Sequence, residues 1–385
     1  MLASWVVSSR PDWTKDGFLG GICQVASVLR KRVTVVINLY RRDILLVEKK
    51  GVGLVQTMSV KLLLAPEFGI FIGLFILVLI FQGLSGRFFS VGEIGGASTM
   101  ASTIGVIGVG VAFLMISGEF DLSVGAVAAF VSIIMGDLIL KASWSPLPAL
   151  LVALLCGMAI GLFNGVVTLM FNIPSFITTL GSYFMLNGIN YIITGGYTVD
   201  VFGHGITWAI LGGQPKGWPV AAPFLWMIVM GIVGMVVLSK TQYGNWVLAA
   251  GSKGGGSAKA VGVPVRRVKL INFAMCAFLA GLSGCLALAQ YGSASSGFAS
   301  QYNLLAIVAA VLGGTSLFGG KGSIGGTIVG ACVLGVLDTG LVLVGAPGTW
   351  YTVFIGGILI LAVIANVRLD RFGNLLAIGS RRSGS

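Results

Sequence analysis

Between Phe68 and Val367 the chain holds about ten hydrophobic stretches of helix length, and its basic residues avoid every second loop between them. The stretches lie near 68–84, 98–117, 122–140, 147–171 and 174–194, then near 221–239, 270–290, 302–319, 324–344 and 349–366. Most are long enough to cross a hydrocarbon core of roughly 30 Å at about 1.5 Å per residue. With the first residues placed in the cytoplasm, 21 of the 24 Lys and Arg fall on that side. They are ten from Arg10 to Lys61, six from Lys240 to Lys269, Lys321, and four from Arg368 to Arg382. Arg87, Lys141 and Lys216 fall on the other side. Basic loops resist translocation, so the asymmetry sets orientation. The expected fold class is all-α: a polytopic, multi-pass inner-membrane bundle of about ten transmembrane or partly re-entrant helices, with both termini cytoplasmic.

Composition narrows the function classes. Hydrophobic residues make up 56% of the chain and charged residues 9%, against roughly 25% charged in soluble domains. A net charge of +12 raises nucleic acid as a partner. The basic residues, however, flank spans and hold no aromatic-rich groove-binding module, so positive-inside topology accounts for them and no nucleic-acid partner is expected. Cys23, Cys156, Cys276, Cys285 and Cys332 show no CxxC spacing, and four of the five lie inside spans as small packing residues. Neither a disulfide, a metal site nor a cofactor is expected. Glycine supplies 59 of 385 residues. In a bilayer it lets helices approach closely, or break where they line a cavity. Gly157, Gly161 and Gly165 give the fourth span a smooth face, and Gly326 and Gly330 repeat the spacing in the ninth.

Three regions follow: residues 1–60, a membrane domain over 61–370, and a cytoplasmic tail over 371–385. Residues 1–60 lack an apolar run of spanning length and carry basic clusters at 30–32, 41–42 and 49–50. No signal-peptide pattern is clear there. Two readings stay open: a basic arm resting on anionic headgroups, or an extended reading frame whose true start is Met58.

Several motifs imitate nucleotide-binding loops. Gly320-Lys321-Gly322-Ser323-Ile324-Gly325 spells G-x-G-x-x-G, but a dinucleotide site needs a preceding strand and an acidic residue about twenty positions on. A Walker A reading fails because Thr315 replaces its first glycine and Gly322 its final Ser or Thr. The segment is expected to be a turn between two spans, with any ATP hydrolysis carried by another subunit. Glu119 and Asp121 fall at a cytoplasmic turn, and Asp121 is placed to cap a helix starting at Leu122. Asp137 and Asp338 are the other carboxylates near the membrane singled out, and His204 lies in the long outer loop without His or Cys neighbours. Ser123-Val124-Gly125 and Ser323-Ile324-Gly325 each open a span, a faint repeat of the kind that flanks permeation paths.

Two loops stand out. Thr194–Val220 is aromatic and poor in charge, which suits either an external partner or a plain connection with interfacial aromatics. Lys240–Lys269 pairs an Ala-containing piece with Gly262-Val263-Pro264, a composition for one or two short helices that a soluble domain could grip.

The residues that decide the class are Gly118-Glu119-Phe120-Asp121-Leu122-Ser123-Val124-Gly125, then Phe163-Asn164-Gly165, Ile173 through Gly181, and Leu312 through Thr327 with its Gly319-Gly320-Lys321-Gly322 core. Across roughly 68–367 the chain resembles the permease subunits of ribose/xylose-type monosaccharide ABC importers. The resemblance implies a transporter subunit rather than an enzyme. Its partners would be cytoplasmic ABC ATPases, a periplasmic sugar-binding protein, and a second permease copy or close relative. It further implies a coupling helix within Lys240–Lys269, at Gly251, Ala258, Gly262 and Val263. Gly254-Gly255-Gly256 is less helical than the family pattern, so the helix is expected to start near Ser257. A neutral sugar needs hydrogen-bonding groups along its path, and Asn164, Asn172, Thr178, Thr179, Asn187 and Asn190 are candidates, with helix–helix hydrogen bonding as the competing role. Rival classes are an amino-acid ABC permease and an ion-coupled secondary transporter using Asp338. A membrane enzyme would want clustered carboxylates, which this chain lacks.

Overall fold

A computed structural model describes residues 66–364, apart from residues 204, 216 and 253–255. The basic arm over 1–60, the tail over 371–385, His204 and Gly254-Gly255 lie outside the described residues. Within them the chain forms helices α1 (Pro66–Ser85), α2 (Val91–Ile116), α3 (Val124–Leu140), α4 (Pro146–Phe171) and α5 (Ser175–Thr194). The strand β1 (Val199–Asp200) and helix α6 (Ile206–Gly212) follow. The second half comprises α7 (Ala222–Lys240), α8 (Gln242–Gly251), α9 (Gly256–Ala260), α10 (Val265–Tyr291), β2 (Ser293–Ala294), α11 (Tyr302–Leu312) and α12 (Ile324–Leu343). A last helix, α13, runs over Thr349–Ile364. The all-α polytopic architecture is as expected.

Five helices, α2, α4, α7, α10 and α12, are long and apolar enough to cross a membrane. α2 is the axis of the bundle. It is buried without interruption from Ala101 to Ile116, and an apolar helix enclosed on every side belongs at a centre. α12, α10, α7 and α11 pack around it. By contrast α1, α4, α5 and α7 each present a face of exposed large apolar residues such as Phe75, Leu155, Phe184 and Ile232, as lipid-facing helices do.

Close helix approach is made by the small residues. Gly161 of α4 lies against the Phe273 carbonyl and Ala277 of α10, while Gly157 and Gly165 extend the same seam to Val131 and Phe273. Gly326 and Gly330 of α12 rest on Gly313 and the Ala309 carbonyl. Polar side chains bridge the helices. Ser283 donates to the Thr103 carbonyl at 3.0 Å and Gln290 to Thr99 Oγ1 at 2.8 Å. Tyr243 of α8 donates to Asn272 Oδ1 at 2.6 Å, and Asn272 donates in turn to the Phe113 carbonyl. Burial pushes the Tyr243 phenol above its ordinary pKa, so it stays a donor at physiological pH.

Two expected spans are corrected. The eighth, placed over 302–319, is helical only to Leu312; eleven residues reach about 16 Å, half a bilayer core. A glycine-rich turn stops it, with Gly314 N–H bonded to the Val311 carbonyl and Thr315 N–H to the Ala310 carbonyl. The third begins at Val124, not Leu122. Both deviations place non-helical backbone inside the bundle.

Residues 295–301, ahead of α11, form a series of turns, with Phe298 N–H on the Ser295 carbonyl and Tyr302 N–H on the Ala299 carbonyl. β1 pairs antiparallel with β2 (Val199 opposite Ala294, Asp200 opposite Ser293), and Gly136 near the end of α3 packs on Val199 and Val201. Gly125 at the start of α3 packs instead on the Ala299 carbonyl. Those two glycines are about 16 Å apart along a helix, so β1 and the turn at Ala299 touch opposite ends of α3.

Replacing Gly161 with alanine forces Cβ into the Phe273 carbonyl, and the expected loss is of the order of 1–3 kcal/mol, read as a lower Tm in detergent. Gly73→Ala, where nothing lies within 4 Å, should leave Tm unchanged or raise it slightly.

Candidate functional site

Residues 117–123 join α2 to α3 without forming helix, yet Ser117, Asp121 and Ser123 among them are buried in the bundle. α2 ends on a Schellman motif, in which Gly118 N–H donates to the Met115 carbonyl at 2.9 Å and Glu119 N–H to the Leu114 carbonyl at 3.1 Å. Gly118 holds the left-handed conformation this requires, at φ 85°. The backbone beyond it is then satisfied by side chains. Phe120 N–H donates to Ser175 Oγ and Leu122 N–H to Thr179 Oγ1, each at 3.0 Å. The Leu122 carbonyl accepts from Asn303 Nδ2 of α11 at 3.1 Å.

A polar chain continues inward. Asp121 Oδ1 accepts from both Ser123 N–H (2.7 Å) and Ser123 Oγ (2.6 Å). Ser123 Oγ accepts from Asn164 Nδ2 at 2.9 Å, and Asn164 Oδ1 accepts from Ser182 Oγ at 2.5 Å. Asn164 lies seven residues, about 10 Å, before the end of α4, so this network sits inside the bundle. Asp121 is 1% exposed, and its Oδ2 is buried without a hydrogen bond. The expected helix cap is therefore corrected. Ser123 is the N-cap residue of α3, and Asp121 closes the turn onto Ser123 instead of reaching the first N–H groups of the helix.

Glu119 leaves this segment sideways and pairs with Lys269 of α10 at 2.5 Å, both side chains largely covered at 13% and 16% exposure. Asp137 pairs instead with the exposed Lys141. Asp338 lies half-buried on α12, electrostatically coupled to Tyr291, Tyr302 and Tyr351 and apart from the Asp121 network.

The segment 313–323 forms the connection expected of it, between α11 and α12. Ser316 N–H donates to the Lys321 carbonyl at 3.0 Å, Gly319 and Gly320 both stand at positive φ, and Ser323 caps α12 by accepting from Gly326 N–H at 3.0 Å. Ser123 and Ser323, the matched serines of the faint repeat, are thus both N-cap residues following a glycine-terminated helix. Gly320 N–H donates to the Ile116 carbonyl at 2.8 Å, tying this turn to the end of α2. Gly322 fits beneath Ile116 and Thr315.

Gly251, last residue of α8, is seated on this junction. A Cβ there would collide with the Ile116 carbonyl and approach the Gly320 amide nitrogen to 2.5 Å. A Cβ on Gly319 would reach Gly118 Cα at 2.9 Å and the Gly251 carbonyl at 2.8 Å. Three backbones, at 116–118, 251–252 and 319–320, therefore meet with no side chain between them. α9 carries Ala258, 4% exposed, and closes on its own Schellman motif. Gly262 N–H donates to the Lys259 carbonyl at 3.1 Å and Val263 N–H to the Ala258 carbonyl at 3.0 Å, with Gly262 at φ 85°. Gly262 is thus needed for the turn, while Gly251 is needed for docking.

The six pathway candidates separate. Asn164, Thr179 and Asn190 are buried; Asn164 and Thr179 belong to the network above, and Asn190 donates to the Ala126 carbonyl at 3.2 Å. Asn187 donates within its own helix to the Tyr183 carbonyl. Thr178 Oγ1 is buried without a partner, and Asn172 ends α4 in a left-handed conformation facing a different cavity. Sequence reasoning missed Ser175, Ser182, Asn303 and Lys269. The first two could have been found, since Ser175, Thr179 and Ser182 recur at helical spacing as a polar stripe on an apolar helix.

Broken helices meeting at a buried polar centre, within a bundle of membrane-length helices, define a polytopic membrane transporter. A family profile described as "Branched-chain amino acid transport system / permease component" matches residues 94–363, and the chain belongs to that family of permease subunits. It is not an enzyme. It is 35% identical over 312 residues to the xylose/arabinose import permease protein XylH of Sulfolobus acidocaldarius, covering 79% of this chain and 86% of that one. The probable ABC transporter permease protein YphD of Escherichia coli is 35% identical over 323 residues, covering 84% and 95%. The ribose import permease protein RbsC of Escherichia coli is 32% identical over 306 residues, covering 77% and 92%. No solved structure is significantly similar.

Asn164→Leu strands the Ser182 hydroxyl and removes the bond that Ser123 Oγ accepts, and the expected cost is about 1–3 kcal/mol. Because the groups act as one network, combining it with Ser182→Ala should cost less than the sum of the two single changes, which a double-mutant cycle by thermal or denaturant unfolding reads directly.

Proposed function

We propose that this chain is the membrane-spanning permease subunit of an ATP-driven importer, carrying a monosaccharide across a bacterial inner membrane with its basic end in the cytoplasm. The curated relatives named for ribose and xylose/arabinose import support the sugar, and their designation as import permeases supports both a separate cytoplasmic ATPase and a sugar-delivering binding protein. The observation that carries the mechanism is the seating of Gly251 on the Ile116 carbonyl and the Gly320 amide.

α8 and α9 form the coupling element. When ATP closes the ATPases, a push on α8 reaches the backbones at 116–118 and 319–320 without passing through a deformable side chain. From there it enters 117–123 and α11, which share the Leu122–Asn303 hydrogen bond. Glu119–Lys269 transmits the same displacement to α10. Broken helices are suited to this because they shift about their non-helical halves while the long helices keep their packing. A second permease copy, or a close relative, faces α5, whose outer surface carries Gly181 and Gly188 with open space around them. Thr178 and Asn187 flank the buried stripe of α5 and are the side chains offered to a sugar. Asn164, Thr179 and Asn190 hold helices together. The exposed Tyr197, Phe202 and Trp218 at the opposite end supply an apolar platform for the binding protein.

The family profile is described for branched-chain amino acids, so amino acids are the competing cargo. Uptake of labelled pentoses and of leucine by vesicles holding the complete complex separates the two; saturable leucine uptake without pentose uptake would overturn the sugar reading. Co-purification in mild detergent is expected to recover an ATP-hydrolysing subunit that is lost on deleting Ser252–Val263. Gly251→Val should leave that subunit bound while lowering uptake by about tenfold or more, since a 1 Å misplacement can cost about a hundredfold in rate where geometry carries the function.

A further inference from the structure

At the basic end of the bundle, between the α4–α5 turn and the start of α10, lies a cavity of about 540 Å³ beside the Glu119–Lys269 pair and α9. Its chemistry is unlike the rest of the surface. Lys259, Arg266 and Lys269 line it together with a single carboxylate, Glu119. Glu119 is already neutralised by Lys269, so the charge of Lys259 and Arg266 is left over. Arg266 spends one nitrogen on the Leu169 carbonyl at 2.9 Å and keeps the remaining N–H donors of its guanidinium.

A second observation is independent of charge. Thr168 also lines the cavity, is 3% exposed, and its Oγ1 has no hydrogen-bond partner. A buried hydroxyl left unpaired is destabilising, and an acceptor atom entering the cavity would satisfy it. Cations and a lone donor together specify an anion with oxygen acceptors.

The third observation identifies the carrier of that anion. The turn Asn172–Pro174 at the cavity wall is bordered by Met170, Phe171, Phe176 and Ile177, each at least half exposed and apolar. A free anion has no use for them, whereas acyl chains do. We propose that the cavity binds the phosphate of an anionic phospholipid, with Lys259 and Arg266 supplying the charge, the Thr168 hydroxyl donating to a phosphate oxygen, and the acyl chains lying over Phe171 and Phe176. Basic recesses between membrane helices take such headgroups. Because Lys259 belongs to α9, the occupied site fixes the coupling element against the end of α4.

The test is native mass spectrometry of the delipidated full-length chain in detergent, titrated separately with dioleoyl phosphatidylglycerol, dioleoyl phosphatidylcholine and inorganic phosphate. One phosphatidylglycerol should bind about tenfold or more tightly than phosphatidylcholine, because net charge decides it. Lys259→Gln with Arg266→Gln should weaken it about tenfold, and Thr168→Val severalfold, without changing phosphatidylcholine adducts. Lys259→Gln alone, at an exposed position, serves if the double variant fails to fold, and Lys259→Arg should bind as the parent does. Equal binding of the two lipids, or no change in the variants, overturns the proposal. Inorganic phosphate bound as tightly as the lipid assigns the cavity to a free anion, and displacement of the lipid by added ATPase subunits assigns it to a protein contact; either result overturns the lipid reading.

Discussion

Backbone amides and carbonyls buried away from water must find partners, and this bundle depends on how that demand is met where its helices break. Residues 117–123 cannot satisfy themselves as a helix would, whereas 295–301 do so by local turns such as Phe298 N–H to the Ser295 carbonyl. Ser175, Thr179 and Asn303 supply the missing partners for the first. Without those side chains that break would leave several polar groups stranded in an apolar interior. With them, it becomes a fixed part of the structure. The eight-residue signature around Asp121 is thus a list of hydrogen-bond and packing requirements: a left-handed turn at Gly118, an ion pair at Glu119, a turn closure at Asp121, a cap at Ser123 and a close approach at Gly125.

The same logic explains the glycine content. At Gly251 the absence of a side chain lets α8 touch two other backbones directly. At Gly118 and Gly262 the requirement is conformational, a left-handed residue after the last helical turn. These are different demands, and only the first concerns contact between separate elements.

Much of the bundle was legible in the sequence. Hydropathy located nearly every long helix to within a few residues, since burial in lipid needs only length and apolarity. It failed at 302–319 and at Leu122 for one reason: flanking residues such as Leu312, Leu317, Phe120 and Leu122 keep an averaged window apolar across Gly313–Ser316 and Asp121, and hydropathy does not see hydrogen-bond direction. The glycine seam of Gly157, Gly161 and Gly165 was readable as packing because the spacing alone defines a face. The buried network was only half readable. Asn164 and Thr179 stood out as polar residues in spans, and Ser175 and Ser182 share the helical stripe of Thr179, but the pairing of Asn164 with Ser123 and Ser182 joins distant positions and leaves no local trace. Gly251 was picked out through resemblance, and its contact with Ile116 and Gly320 is a fact of three-dimensional arrangement.

The two-residue ladder between β1 and β2 joins the long loop after α5 to the turns that lead into α11. With the Val201 N–H to Gly292 carbonyl bond at 2.7 Å, it ties that loop to the end of α10 as well. Five residues past the ladder, the turn at Ala299 seats its carbonyl on Gly125 at the start of α3. A load on the loop is therefore shared between α10 and the start of α3 through main-chain contacts, as by a strap fastened at both ends.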